Sequence, residues 1–236
     1  MTEIGLDVDI RQHLRSLSHY TLSPINTALE TAQREKEIVE AEISAFGEFA
    51  RRVSDIDCDT EPNAEFSPLL RTDSRSKVKE VRSDYRRTVM ATEHYRIEYG
   101  ESFVENLQKE LGPEVSSQLT QPRLPPFTPT LKEAILRASQ QRIVARSALR
   151  TQLDREGDSL RSSREEIEGL LESIEQIRVP EWYRDEFIDH VDTIAADRQE
   201  LIRSNGHDFY GYLYNTEPIS YPVLLALGRL REAIIV

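Results

Sequence analysis

Two histidines each lie one helical turn from a carboxylate, a spacing that can hold a metal ion or pair an acid with a base. The pairs are His94 with Glu98 and Glu186 with His190. Side chains four positions apart share a helix face, and imidazole and carboxylate are both ligands of zinc. Neither pair is doubled into a motif such as His-Glu-x-x-His, and such pairs also occur on ordinary charged helix surfaces. These four residues are the metal-ligand candidates, and the sequence predicts no catalytic residue and no cofactor.

A basic cluster at residues 71–87 stands out in an acidic chain. On a helix, four of its side chains share one face, namely Arg75, Lys79, Arg82 and Arg86. One interpretation is contact with an anionic partner, such as nucleic acid or membrane headgroups. The other is pairing with acidic helices of the same chain, for example the glutamate run at 35–42. We favour the second, because the opposite charge is already present in the chain.

Aromatic residues make up 7% of the chain, yet they gather at residues 85–99 and 207–221. The second segment shows no helical period, and so many rings are unfavourable in water unless they are buried. We therefore expect 207–221 to fold over the end of the helix that carries the first group. In the alternative, each group packs on its nearest helix. The residues assigned to this docking contact are Tyr85, Tyr95, Tyr99, Phe209, Tyr212 and Tyr221.

The charge balance indicates a salt-adapted protein. The formal net charge is −12, from 42 acidic and 30 basic residues, and the basic set contains 25 arginines and 5 lysines. Screening in concentrated salt weakens the repulsion within an acidic surface, although a GC-rich genome would also favour arginine. The same charge argues against general nucleic-acid binding, which uses basic surface to displace counterions.

The remaining composition predicts a soluble cytoplasmic protein. The single cysteine, Cys58, cannot form an intrachain disulfide, and no basic neighbour is present to activate its thiol. The N-terminus has neither the basic start nor the apolar run of a signal peptide. No stretch is apolar for the roughly 18 residues that a membrane span needs.

Two long segments carry a seven-residue apolar repeat, which predicts helices packed along one another. The longer runs from Thr128 to Arg178, with its repeat at Leu153, Leu160, Ile167 and Ile174. The other spans 24–53, where Ser23-Pro24 is a typical helix start and the repeat falls at Ile25, Ala32, Val39, Phe46 and Val53. We expect an all-α fold, an elongated helical bundle with long antiparallel coiled-coil-like helices.

The rest of the chain predicts shorter helices and a division into four parts. Further helices are expected at 73–99, 103–111, 114–119, 180–205 and from Pro222 onward, with a loop at 54–72. Residues 1–22 are expected to be an N-terminal arm, either a short extended segment or a frayed or packed tail. The other parts are an N-terminal helical part at 23–121, a proline-rich connector at 122–130, and residues 131–236, which hold the long helix and C-terminal helices that pack back on the N-terminal part.

Several short motifs resemble those of a family of uncharacterised haloarchaeal proteins. They are Tyr-Arg-Arg-Thr-Val-Met from Tyr85, His94-Tyr95, Glu-Tyr-Gly at 98–100, Asp-Phe-Tyr-Gly-Tyr-Leu-Tyr at 208–214, and Tyr-Pro-Val-Leu at 221–224. The resemblance spans most of the chain from Ser23 onward. The resemblance implies a long helical protein adapted to salt, and it implies no particular activity.

The sequence as a whole favours a structural or protein-interaction module, with a homodimer through the heptad stripes as a possible assembly. An alternative is a metal protein or enzyme with a carboxylate–histidine site, as in di-iron bundles. Those bundles repeat Glu-x-x-His on two helices, and this chain does not. A second alternative is a regulator that contacts nucleic acid or another anionic partner through residues 71–87.

Overall fold

The computed structural model describes residues 3–59, 70–92, 100–176 and 181–235. Over these ranges the chain forms eight α-helices, one 3-10 turn and no strand, so the all-α prediction is confirmed. The helices are α1 Glu3–Asp55, α2 Leu70–Arg87, α3 Phe103–Leu111, α4 Pro113–Thr120, α5 Pro129–Gln176, α6 Glu181–Asn205, α7 His207–Leu213 and α8 Pro222–Ile235.

The chain divides into two compact units. Unit 1 combines residues 1–36 with 152–236, and unit 2 consists of residues 37–151. These boundaries fall inside α1 and α5, whereas the sequence places a division at the proline-rich segment. The four-part division stays a prediction.

Helix α5 matches the predicted 128–178 segment closely. It begins at Pro129 and ends at Gln176. Proline suits a first helical turn because the N–H that it lacks would have no partner there, and the Thr128 hydroxyl accepts the N–H of Leu131 at 3.2 Å. Leu153, Leu160 and Ile167 of the heptad repeat are buried. These three positions of the apolar stripe are therefore covered within the single chain.

Helix α1 begins much earlier than the sequence predicts. It starts at Glu3, so residues 3–22 are helical and not extended, and Pro24 lies inside the helix instead of opening it. A proline inside a helix leaves the carbonyl four residues earlier without a donor. Here that carbonyl belongs to Tyr20, and Nη1 of Arg229 in α8 donates to it at 2.5 Å. This contact within unit 1 thus gives the Tyr20 carbonyl the hydrogen bond that Pro24 cannot donate.

The two long helices meet through polar contacts within each unit. In unit 2, Arg146 Nε lies 2.5 Å from Glu42 Oε2, and Lys132 Nζ donates to the carbonyl of Ser54 at 2.8 Å. Later residues of α1 therefore contact earlier residues of α5 in this unit. In unit 1, Lys36 pairs with Asp154 at 2.6 Å. Coiled-coil packing along the full length of these helices stays a prediction.

Helix α2 ends at Arg87, so the predicted continuous helix over 73–99 is wrong. The Thr88 hydroxyl donates to the carbonyl of Asp84 at 2.7 Å, beside the backbone N–H that donates to the same oxygen. Side-chain bonds of this kind compete with the helical ladder. A 3-10 turn at Val89–Ala91 follows, and Thr92 is extended. Residues 93–99, with Tyr95 and Tyr99, lie outside the described residues.

The proline-rich segment is anchored to the core of unit 2 by a buried aromatic ring. Residues 121–128 contain neither helix nor strand, as their prolines predict. Phe127 is fully buried, and its backbone exchanges two hydrogen bonds with Asp59. The Asp59 N–H donates to the Phe127 carbonyl at 2.8 Å, and the Phe127 N–H donates to Asp59 Oδ2 at 2.6 Å. The segment is therefore part of the core of unit 2 as well as a connection.

Candidate functional site

The metal-ligand candidates Glu186 and His190 stay a prediction. Glu186 and His190 are both exposed on α6, and His94 and Glu98 lie outside the described residues. In the part of the chain that the structure describes, no group of three or more His, Cys, Asp or Glu side chains is placed to hold a metal ion.

Two arginines of the basic stripe converge on one phenylalanine ring in unit 2. The guanidinium carbons of Arg86 and Arg82 lie 3.7 and 5.6 Å from the centroid of Phe103. A guanidinium over an aromatic face is attracted by the negative potential of the ring. Arg86 is exposed and Arg82 is half-buried. Lys79 is exposed, and the side chain of Arg75 is outside the described set.

Neither Arg82 nor Arg86 forms an ion pair with a carboxylate among the described residues. Asp84, on the same helix, pairs with Arg52, and Glu42 of the acidic run pairs with Arg146. Within the described residues, the internal pairing that the sequence favours is therefore not formed by these two arginines. Burial, followed by the charge of Arg82, lowers the pKa of the Arg86 guanidinium. The Nε of Arg82 is buried and has no acceptor.

The C-terminal aromatic segment is partly helical, which corrects the expectation of a non-periodic stretch. Helix α7 spans His207–Leu213, and Gly206 takes a positive φ of 84° just before it. Phe209 and Tyr210 are buried and meet edge to face at 5.2 Å. A seven-residue helix is too short to reveal a period of 3.6 in the sequence.

The described aromatic contacts are local to each unit. In unit 1, the Tyr221 hydroxyl lies 3.1 Å from His207 Nδ1, and the exposed Tyr212 donates its hydroxyl to Glu35. In unit 2, Tyr85 packs edge to face against Phe49 at 5.1 Å and against Phe103 at 6.0 Å. Docking of 207–221 on Tyr95 and Tyr99 stays a prediction.

Unit 1 contains a buried ionic network that the sequence analysis missed. The side chains of Glu156 and Arg198 are 0% and 1% exposed, and Arg198 Nη2 donates to Glu156 Oε1. The same carboxylate accepts the hydroxyls of Tyr214 at 2.7 Å and Tyr210 at 3.0 Å. Arg198 Nη1 also donates to Ser159 Oγ at 3.0 Å. One carboxylate therefore joins α5, α6 and the aromatic segment.

A sequence signal for this network exists in the apolar repeat. Glu156 lies three residues after Leu153 and four before Leu160, so it falls on the buried face of α5. Arg198 lies four residues from both Ile194 and Ile202, on the buried face of α6. Charges of opposite sign on two apolar stripes predict a buried ion pair, although the two residues stand 42 positions apart.

Unit 2 contains a second buried ionic cluster. Arg146 lies between Glu42 at 2.5 Å and Glu110 at 3.1 Å, and its guanidinium carbon is 4.8 Å from the centroid of Phe46. Burial alone would lower the pKa of Arg146. The Glu110 hydrogen bond and the charges of Glu42 and Glu110 raise it instead, so the guanidinium stays charged. Arg146 stands seven residues before Leu153, in the same heptad position.

The network around Glu156 should make the protein less stable at alkaline pH. Burial and the negative charge of Glu156 raise the pKa of Tyr210 from 10.0 to about 12 and also raise that of Tyr214. Since the folded-state pKa is higher, the stabilisation is complete below pH 10 and is lost as the pH rises through about 12. The free energy of unfolding, measured by urea titration from pH 9 upward, should fall with pH. The fall should be smaller in the Tyr210→Phe/Tyr214→Phe variant, and an unchanged slope there would contradict this assignment.

With this geometry in place, comparison with known proteins gives one result. A family model described as Domain of unknown function (DUF7260) matches residues 23–235. The chain belongs to this family. The resemblance to an uncharacterised family is thus confirmed, and the DUF7260 match begins at the residue where the resemblance begins. No curated protein matches the chain, and no solved structure does. No helix among the described residues of this DUF7260 member is long and apolar enough to cross a membrane.

Proposed function

We propose that this domain is a non-enzymatic protein-interaction module that binds an acidic segment of a partner protein through Arg82, Arg86 and Phe103. The observation that carries the proposal is the convergence on one ring of two arginines that form no ion pair with any carboxylate of the described residues. Guanidinium groups bind carboxylates through paired hydrogen bonds, and the ring beneath them restricts their orientation.

The charge of the chain favours a carboxylate-bearing protein over nucleic acid. Nucleic-acid binding draws most of its affinity from many phosphate contacts, and a chain of net charge −12 would repel the backbone beyond the stripe. An acidic segment needs only a few contacts. The buried networks around Glu156 and Arg146 have their charges already paired, which also supports an interaction role over catalysis.

The test is a titration of the full-length chain with a fluorescein-labelled glutamate-rich peptide, followed by anisotropy. The Arg82→Gln/Arg86→Gln variant should bind at least about tenfold more weakly, because two charge-assisted contacts are lost. The control variant Arg123→Gln/Arg150→Gln removes the same charge from exposed positions of unit 2. It should change the affinity by less than about twofold.

Two outcomes would contradict this proposal. Equal losses in the two variants would show that binding depends on net charge and not on this site. Tighter binding of a DNA duplex than of the acidic peptide would support the nucleic-acid regulator instead.

We propose further that the domain is cytoplasmic, adapted to high salt, and of haloarchaeal type. The net charge of −12 and the scarcity of lysine support this, since high salt screens acidic surfaces. A homodimer through the heptad stripes was predicted because those stripes need partners. Val39, Phe46 and Leu160 of those stripes are buried within one chain, and the homodimer stays a proposal. Sedimentation of the full-length chain tests the homodimer.

A further inference from the structure

A small open cavity in unit 1 lies between residues 23–28 of α1 and residues 214–222, which lead into α8. Its volume is about 190 Å³, and its lining includes Pro24, Thr27, Glu217, Ile219 and Arg229. Cavities for drug-sized ligands are typically about 300–1,000 Å³, so this one suits a smaller molecule. Prolines, an alanine and an isoleucine make much of the wall apolar.

Arg229 lines the cavity and is held in place by two contacts with Tyr20. Nη1 donates to the Tyr20 carbonyl at 2.5 Å, and the guanidinium carbon lies 4.0 Å from the centroid of the Tyr20 ring. Its Nε is buried and has no hydrogen-bond partner. The proline at position 24 is the reason that the Tyr20 carbonyl is free to accept. A cation with a fixed orientation therefore borders the cavity.

Glu217 supplies the opposite charge on the same cavity. Its Oε1 lies 3.2 Å from the Thr31 hydroxyl, which also lies 3.0 Å from the Thr27 carbonyl. A hydroxyl has one proton, so the carboxylate at most shares it. Among the described residues, Glu217 forms no ion pair with Arg229 or with any other cation. The cavity wall therefore carries two opposite charges that do not neutralise each other.

We propose that this cavity binds a small zwitterion of the amino-acid class. The ligand carboxylate would pair with Arg229, its ammonium group with Glu217, and its aliphatic part would lie against Pro24 and Ile219. Two charges of opposite sign on one wall, which form no ion pair among the described residues, complement a small ligand that carries both charges. This site is independent of the Arg82–Arg86 surface.

The test is calorimetric titration of the full-length chain with three probes of similar size. L-leucine carries both charges, leucinamide lacks the carboxylate, and 4-methylpentanoate lacks the ammonium group. Leucine should bind, and each singly charged probe should bind at least about tenfold more weakly, since each loses one charge-assisted contact. No measurable binding of leucine, or equal affinity for leucine and leucinamide, would overturn the proposal.

Variants then place the binding at this cavity. Glu217→Gln should weaken leucine binding at least about tenfold while leaving the affinity for 4-methylpentanoate nearly unchanged. The control Glu200→Gln removes an exposed carboxylate of α6 and should change neither affinity. Glu217 is a half-exposed side chain, so its replacement should leave the fold intact, which circular dichroism checks. An unaltered leucine affinity in Glu217→Gln would place binding elsewhere and overturn the assignment.

Discussion

Replacing Glu156 with leucine should lower the free energy of unfolding by about 3–5 kcal/mol, because the buried Arg198 guanidinium would lose its anion. The side chains of this pair are 0% and 1% exposed, so water cannot replace the lost partner. The hydroxyls of Tyr210 and Tyr214 would lose their acceptor as well. Urea unfolding followed by circular dichroism measures the loss.

Two comparisons make this result specific. The double variant Glu156→Leu/Arg198→Leu removes both charges and should be less destabilised than the single variant. The control Glu200→Gln breaks an ion pair whose side chains are 69% and 68% exposed, and it should change stability by less than about 1 kcal/mol. If the double variant loses as much free energy of unfolding as Glu156→Leu and Arg198→Leu lose when their separate losses are added, the two charges do not act as a pair.

Replacing Arg146 with methionine should also cost about 3–5 kcal/mol, because two buried carboxylates would face each other without a cation between them. The side chains of Glu42 and Glu110 are 9% and 8% exposed. Arg142 remains 3.5 Å from Glu110, which places the expected loss toward the lower end of that range. Thermal and urea unfolding both measure it.

Arg137 on the same helix provides the matched control. It pairs with Glu133, and both side chains are about 70% exposed, so Arg137→Met should cost less than about 1 kcal/mol. Adding Glu42→Gln to Arg146→Met should recover part of the loss, because one of the two unpaired charges is removed. A loss in Arg137→Met as large as that in Arg146→Met would show that the buried position has no special role.

The long helices are predictable from the sequence because their signals are local and repeated. The heptad stripes define α1 and α5, and Pro129, Gly112 and Gly206 mark ends by their own backbone preferences. The true start of α1 is not predictable in this way. Pro24 reads as a helix start unless Arg229, 209 positions away, is known to satisfy the Tyr20 carbonyl.

In the candidate sites, too, the local features are predictable from the sequence and the long-range contacts are not. The spacing of Arg82 and Arg86 predicts that they share a helix face, and this needs only the helical period. Nothing in that period shows that Phe103 lies beneath them or that their expected glutamate partner pairs with Arg146 instead. Glu42 and Arg146 stand 104 positions apart, and the choice among many possible charge partners is made by tertiary packing.

The discontinuous make-up of unit 1 has a consequence for the order in which the protein assembles during translation. Residues 37–151 are consecutive, so unit 2 can fold while the rest of the chain is still being made. Unit 1 cannot fold until residues 152–236 have been made. The 209 positions between Tyr20 and Arg229 take about 10–40 s to synthesise at ordinary ribosome speeds. During that interval Leu22, Ile25 and Ala28 have no core to enter. The segment that contains these three residues is therefore the stretch that chaperones should be expected to hold.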